Sequence, residues 1–233
     1  MGKIAAIITA RGGSKRIPQK NIKSFCGHPI IKYSIEAAQK ASCFDEIMVS
    51  TDDKEIANIA KHYGATIPFY RSKKNSNDYA STMDVVKETI NSYKKLGKHF
   101  LYICCIYPTA PLIRYTNIKK GLEIIKTSNI DFVIPVARFS YPIQRALRIN
   151  DGNVSMLSPE NFTFRSQDLE PAYHDCGQFY WMKVESVIKN KQCFIDPSIP
   201  LVIPESEVQD IDTIEDWKIA ETKYFSWIRK DKK

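Results

Sequence analysis

The stretch Phe100–Tyr107, FLYICCIY, constrains the fold more than any other. It is eight apolar residues long without a charge. That is far short of the roughly 20 residues a membrane-spanning helix needs. It suits a strand buried on both faces, the kind found in parallel sheets. Successive strand side chains point to opposite faces, so Cys104 and Cys105 must enter two different layers. Both layers need helices to cover them.

The sequence supplies those helices in alternation with further strands. Ile4–Ala10 (IAAIITA) reads as a strand, and Pro29–Ala41 as a helix with Pro29 at its first position and Ile31, Ile35 and Ala38 on one face. Glu46–Thr51 is a second strand. Asp52 with Glu55 predicts a capping box, followed by Ile56, Ile59, Ala60 and Tyr63 and a stop at Gly64. Ala65–Arg71 reads as a short extended piece. Ser81 and Thr82 open a helix closed by Gly97. A helix from about Thr116 to Ser128, a strand FVIPVAR, a strand GQFYWMK, a strand LVIPES and a last helix from about Thr213 complete the rhythm. This order predicts an α/β fold: three αβα layers around a mainly parallel, Rossmann-like sheet. The chain, 1–233, reads as a single domain. Residues 139–173 break the pattern with polar turns and short extended pieces, and predict an inserted β-hairpin-like segment, a candidate oligomer contact.

Composition excludes several classes. The net charge is +8, but the cations are spread along the chain with no aromatic–basic RNA motif, so no nucleic-acid partner is expected. No membrane span and no signal peptide is read, and the cytoplasm is the expected location. None of the six cysteines forms C-x-x-C, which predicts buried thiols rather than zinc or disulfides.

Three constellations carry chemistry. The first is ARGGSKRIPQKN, where Ala10 ends the strand and the next eleven residues hold two glycines and the cations Arg11, Lys15, Arg16 and Lys20. Glycines let backbone amides approach a ligand, and cations make charge-assisted bonds to phosphate. The motif matches neither G-x-G-x-x-G nor the P-loop. Its competing reading is an exposed basic turn. The second is Asp210-Ile211-Asp212. In an extended segment both carboxylates face one side, with Cα atoms roughly 6.5–7 Å apart. Mg²⁺ is the natural partner for such oxygens near phosphate, although Asp212 with Glu215 could equally cap the last helix. The third is FRSQDLEPAYHDCGQFYW, too polar for an ordinary buried strand. Its His174–Asp175 pair suggests a general base, and a surface turn is the alternative.

Taken in order, ITARGGSKRIPQKN, STDDKEIANIAKHYGA, YPTAPL, the GQFY strand and DIDTIEDW resemble the acylneuraminate cytidylyltransferases, the CMP-sialic acid synthetases, from about Ile4 to Glu221. Within that group IYPTAPL and RSQDLEPAYHDCGQFYW are more similar to pseudaminic acid cytidylyltransferases than to N-acetylneuraminate enzymes. The latter usually carry Gln where Tyr107 stands and Asn-Gly where Cys176-Gly177 stands. The resemblance implies the nucleotide-diphospho-sugar transferase type of sheet, and transfer of CMP from CTP to a nine-carbon 2-keto sugar acid with release of pyrophosphate. Legionaminate, N-acetylneuraminate and 3-deoxy-octulosonate are alternative acceptors, and a non-catalytic nucleotide binder is the alternative of another class. Residue by residue it implies triphosphate contacts from Arg11 and Lys20, backbone contacts from Ala10, Gly12 and Gly13, and nucleotide contacts from Asn21, Arg71 and Ser81. It implies Mg²⁺ on Asp210 and Asp212, and catalytic roles for that pair with Arg11 and Lys20. Tyr107, Arg165, Gln178 and Tyr180 are sugar-pocket candidates. A homodimer, joined through the segment 139–173, is also implied.

Overall fold

In this computed structural model, which describes residues 2–189 and 197–231, the chain opens with the buried strand β1 (Ile4–Thr9). After the glycine loop come the short antiparallel partners β2 (Ser24–Phe25) and β3 (His28–Pro29), then α1 (Ile31–Ala41). β4 (Glu46–Ser50), α2 (Lys54–His62), α3 (Thr82–Lys95), β5 (Tyr102–Ile106), α4 (Tyr115–Thr127) and β6 (Phe132–Arg138) follow. Then come the hairpin β7 (Leu147–Asn150) and β8 (Asn153–Met156), β9 (Tyr173–Asp175), β10 (Phe179–Lys183), α5 (Val184–Lys189), β11 (Ile199–Val202) and α6 (Ile214–Asp231).

The main sheet has the order β11-β6-β10-β5-β1-β4, with β9 pairing to β6. β1 is parallel to both β4 and β5, and β11 is parallel to β6. β10 runs antiparallel to β5 and β6, and β9 antiparallel to β6. The sheet is therefore mixed, with a parallel majority. The cause is the connection. Parallel neighbours need a crossover, usually a helix. The chain leaves the carboxyl end of β6 into the inserted segment and returns from that same end, so β9 and β10 must descend.

Cys104 packs with Ile31 and Ile35 of α1 and Ile118 and Ile125 of α4, whereas Cys105 packs with Val86 and Ile90 of α3 and Val187 of α5. The two adjacent thiols thus mark the two helical layers. A third cluster joins Ile17, Phe25, Ile30 and Tyr33 to Ile211, Trp217 and Ala220. It clamps the opening loop onto the segment that carries Asp210 and Asp212. Gly121 in α4 permits a close helix–sheet contact. A Cβ there would lie 2.5 Å from Trp181 Cδ1, and that indole is held by its bond to the Ile118 carbonyl (2.9 Å) and by stacking on Phe44.

Several local expectations shift by a residue or two. Pro29 lies in β3, and α1 begins after it, because the Ile30 and Ile31 amides are drawn back onto the Lys23 and Asn21 carbonyls. The cap of α2 is Asp53, whose carboxylate accepts the Glu55 and Ile56 amides. Ala65–Arg71 gives only one bridge, Thr66 to Met48; Pro68 has no amide to extend it. The capping box of α6 is Thr213 with Asp216, one residue later than Asp212 with Glu215. Cys193 lies outside the described residues. In the inserted segment, β7 and β8 turn through Asp151 (φ 50°) and Gly152 (φ 77°), the two positive φ values of a type I′ hairpin. The hairpin forms its own sheet, and Leu147, Ile149 and Val154 are exposed on it.

Candidate active site

The opening loop leaves the carboxyl end of β1, where ligands bind in open α/β sheets. Its glycines have separate causes. The Gly12 amide donates to Asp52 Oδ1 (3.0 Å). A Cβ on Gly12 would sit 2.9 Å from Asp53 Oδ2, so only glycine lets the loop close on the start of α2. Gly13 faces open space. Ala10 is buried and its amide is committed to the Ser50 carbonyl at 2.9 Å. Asn21 is buried, and its Nδ2 donates to the Arg11 carbonyl at 2.8 Å, which fixes the loop's curvature.

The cations converge. Lys20 Nζ donates to the Ile211 carbonyl (2.6 Å) and lies 3.6 Å from Asp212 Oδ1. Arg16 pairs with Asp212 Oδ2 at 2.6 Å. Arg11 and Lys15 both reach Asp78, at 2.7 and 2.5 Å. Arg71 is only 8% exposed. Its Nε donates to Ser50 Oγ (3.0 Å) and its Nη2 to the Ser50 carbonyl (2.6 Å). Burial pulls its pKa down to about 10, which still leaves it charged at neutral pH. Arg11, Lys15, Arg16, Lys20, Asn21 and Arg71 line one cleft of about 230 Å³, together with Thr82, Tyr107 and Thr109. The Ser81 hydroxyl is used differently: it caps α3, exchanging bonds with the Asp84 amide and carboxylate. Its neighbour Thr82 faces the cleft instead, with Oγ1 3.0 Å from the Tyr107 hydroxyl.

With Asp216 serving the helix cap, Asp212 is left to the cations and Asp210 to its neighbours. Asp210 lies against Gly177. The residue as a whole is exposed, but partial desolvation of its carboxyl, and then the Asp212 charge, hold its pKa above the usual carboxylate range. A pair of oxygen donors that resist being charged together, beside a row of phosphate-sized cations, fits a divalent ion. Among the described residues no group of three or more His, Cys, Asp or Glu could hold a metal. Mg²⁺ needs no such cage, since it is commonly held by one or two carboxylates and completed by water and phosphate.

The sugar-pocket candidates divide. Gln178 is 2% exposed. Its Nε2 donates to the Glu207 carbonyl at 2.6 Å, while its Oε1 is buried without a partner. Tyr180 donates to Asp175 Oδ2 (2.7 Å) and meets the Tyr107 ring edge to face, with centroids 5.3 Å apart. Burial, and then Tyr107, push the Tyr180 phenol pKa upward. Asp175 also accepts the Gly177 amide at 2.9 Å. His174 turns its Nδ1 to the Asp175 backbone carbonyl (2.9 Å), not to the carboxylate, so the two do not form a base dyad. Arg165 is not brought to the cleft. It lies in the inserted segment, its side chain 72% exposed and paired with Asp168.

Sequence reasoning missed Asp52, Asp78 and Thr82. Asp52 was readable as polar and near a strand end, but its cap-like spacing to Glu55 hid its bond to Gly12. Asp78 sits in a segment without periodicity, and its partners lie more than sixty residues away in sequence.

Known proteins bear on this geometry in two ways. The cytidylyltransferase family model matches residues 5–182. A pseudaminic acid cytidylyltransferase of Campylobacter jejuni is 42% identical over 223 residues, covering 95% of this chain and 96% of that protein. A CMP-N,N'-diacetyllegionaminic acid synthase of Legionella pneumophila is 34% identical, covering 94% and 95%. Among solved structures, a CMP:2-keto-3-deoxy-manno-octonic acid synthetase complexed with CTP superposes with a TM-score of 0.70 at 15% identity, over 94% of this chain and 97% of that one. At that identity the likeness is one of fold.

Proposed function

The chain belongs to the cytidylyltransferase family, and from that premise we propose that it transfers CMP from CTP to the anomeric hydroxyl of a nine-carbon 2-keto sugar acid, pseudaminic acid in preference to others. The observation that carries the reading is the gathering of Arg11, Lys15, Arg16, Lys20 and the buried Arg71 on one cleft, with Asp212 tied into it by Arg16 and Lys20. A mere nucleotide binder has no need of the carboxylate pair. The choice of sugar rests on the relative that is 42% identical along nearly its whole length and on Tyr107 and Cys176.

In the reaction the sugar's anomeric oxygen attacks the α-phosphorus, the bond to the β-phosphate oxygen breaks, and pyrophosphate leaves with the electron pair. The hydroxyl proton passes to solvent, since no side chain here is placed as a base. Arg11, Lys15 and Lys20, which line that cleft, would neutralise charge accumulating on the leaving group, and fixed cations aimed at developing charge are a large source of rate. Asp210 and Asp212 would hold Mg²⁺, which supplies Lewis-acid polarisation of a phosphate oxygen. The sugar would lie toward Tyr107, Tyr180 and Gln178. The unpartnered Gln178 Oε1 is an acceptor that a sugar hydroxyl or amide N–H can satisfy, and a buried acceptor left alone is costly.

A homodimer belongs to the same reading, with the segment 139–173 as its contact. The hairpin sets its exposed apolar residues on a two-stranded ribbon with no cover of its own, which is marginal in isolation. No helix among the described residues is long and apolar enough to cross a membrane. The five described cysteines are free, which suits a reducing cytoplasm. Pyrophosphate release, measured with CTP and Mg²⁺ against pseudaminic, legionaminic, N-acetylneuraminic and 3-deoxy-octulosonic acids, tests the substrate. Release with pseudaminic acid foremost is the expected result. Preference for another acid removes the argument from Tyr107 and Cys176 and keeps the chemistry.

A further inference from the structure

Arg16 and Lys20 share Asp212, and the cleft's other two loop cations, Arg11 and Lys15, share a second anion. Asp78 places Oδ1 2.7 Å from Arg11 Nη1 and Oδ2 2.5 Å from Lys15 Nζ, so one carboxylate closes across both. The chain holds it there from either side. Asn77 Oδ1 accepts the Tyr79 and Ala80 amides (2.8 and 3.0 Å), a tight Asx turn. The Ser81–Asp84 capping box then anchors the start of α3. Ala80 and Thr82, flanking that cap, line the cleft itself. Yet the turn is not packed for stability: Tyr79 is 95% exposed, and an exposed ion pair contributes little to folding.

We infer that Asp78 is an internal counter-ion of the phosphate site, displaced from Arg11 and Lys15 by the incoming triphosphate and returned to them as pyrophosphate leaves. The inference rests on the reading of this cleft as the CTP site. Its physical basis is competition. Arg11 and Lys15 cannot give their best donors to Asp78 and to a polyphosphate at once. Lys20, Arg16 and Arg71 do not pair with Asp78: Lys20 and Arg16 hold Asp212 and Arg71 is bonded to Ser50, so the carboxylate of Asp78 acts on Arg11 and Lys15 alone. A carboxylate bound to two cations is a far weaker anion than a triphosphate, so the substrate wins. The same carboxylate weakens the grip on the departing pyrophosphate by competing for the same two cations. Asp78 is in this sense a positioning residue: it touches neither reacting atom and acts through Arg11 and Lys15.

The test is the affinity of the full chain for pyrophosphate and for CTP, each with Mg²⁺ and no sugar, in the wild type and in Asp78→Asn. The expected result is about 3–10-fold tighter binding of both ligands to the variant, with stronger product inhibition by pyrophosphate. The gain should shrink when Lys15→Ala is combined with it. Asp78→Ser must move affinity in the same direction, which covers a failure of the Asn variant to fold. Unchanged or weaker binding in both variants overturns the counter-ion role and leaves the CTP site standing. Failure of the wild type to bind CTP at all overturns the reading of the cleft, and the counter-ion with it.

Discussion

The ionised form of Asp210 is disfavoured where it stands, although the residue still meets solvent, which screens part of the effect. Its folded pKa lies above the unfolded value, through burial of the carboxyl and through Asp212. The folded state therefore binds more protons than the unfolded state in the window between the two values, and stability falls as pH rises through it. At neutral pH the ionised Asp210 costs a little stability, reduced by solvent screening at this exposed residue. Asp210→Asn should accordingly raise the melting temperature at neutral pH without added metal, and the gain should vanish below the ordinary carboxylate range. The same variant should lose turnover. A melting temperature unchanged at neutral pH would contradict the electrostatic account. Asp212→Asn should lower turnover by about 10²-fold, the scale on which a single charge-stabilising group acts. An unchanged rate at saturating Mg²⁺ would remove Asp212 from the site. At this scale the sequence was partly legible. Adjacent thiols on a strand had to part into two layers, and Cys104 and Cys105 do. The role of Asp212 was ambiguous, because Asp212–Glu215 and Thr213–Asp216 both match the capping pattern, and only the fold chooses between them.

Among the elements, α4 and β10 are matched by one missing Cβ. Gly121→Ala would drive a methyl to 2.5 Å from the Trp181 ring. The indole is fully buried and bonded to the Ile118 carbonyl, so it can move only by giving up packing. A loss of about 1–3 kcal/mol is expected, the range of overpacked cores. It is measurable by urea denaturation, and a neutral or stabilising result would show that the indole yields. Periodicity located most helices and strands, because each buries one stripe or two faces. It could not give the direction of β10. An apolar run buried on both faces reads the same in parallel and antiparallel neighbours, and its direction is decided by the hairpin-like return from β6. The pairing of Asp78 with Arg11 and Lys15 was equally hidden, since a polar turn has no period and its partners are distant in sequence.

Across the whole molecule, the inserted hairpin stands out among the described strands for leaving nearly every residue exposed. Ile149 is 74% exposed. If it meets a second copy, gel filtration should give twice the chain mass, and Ile149→Asp should shift the population to monomer. A wild type that runs as a monomer at working concentration would refute the contact. Most of the strands and the basic loop were legible because each is local in sequence. Their convergence was legible only through resemblance, since the third core cluster that joins Ile17 and Phe25 to Ile211 and Trp217 spans nearly the full chain. The central claim is that this convergence moves a nucleotidyl group. CTP labelled at its α-phosphate, incubated with the chain, Mg²⁺ and pseudaminic acid, tests it most directly. The account predicts label on the sugar acid with one pyrophosphate released per transfer; label released only as free CMP, or no transfer to any of the four sugar acids, would contradict it.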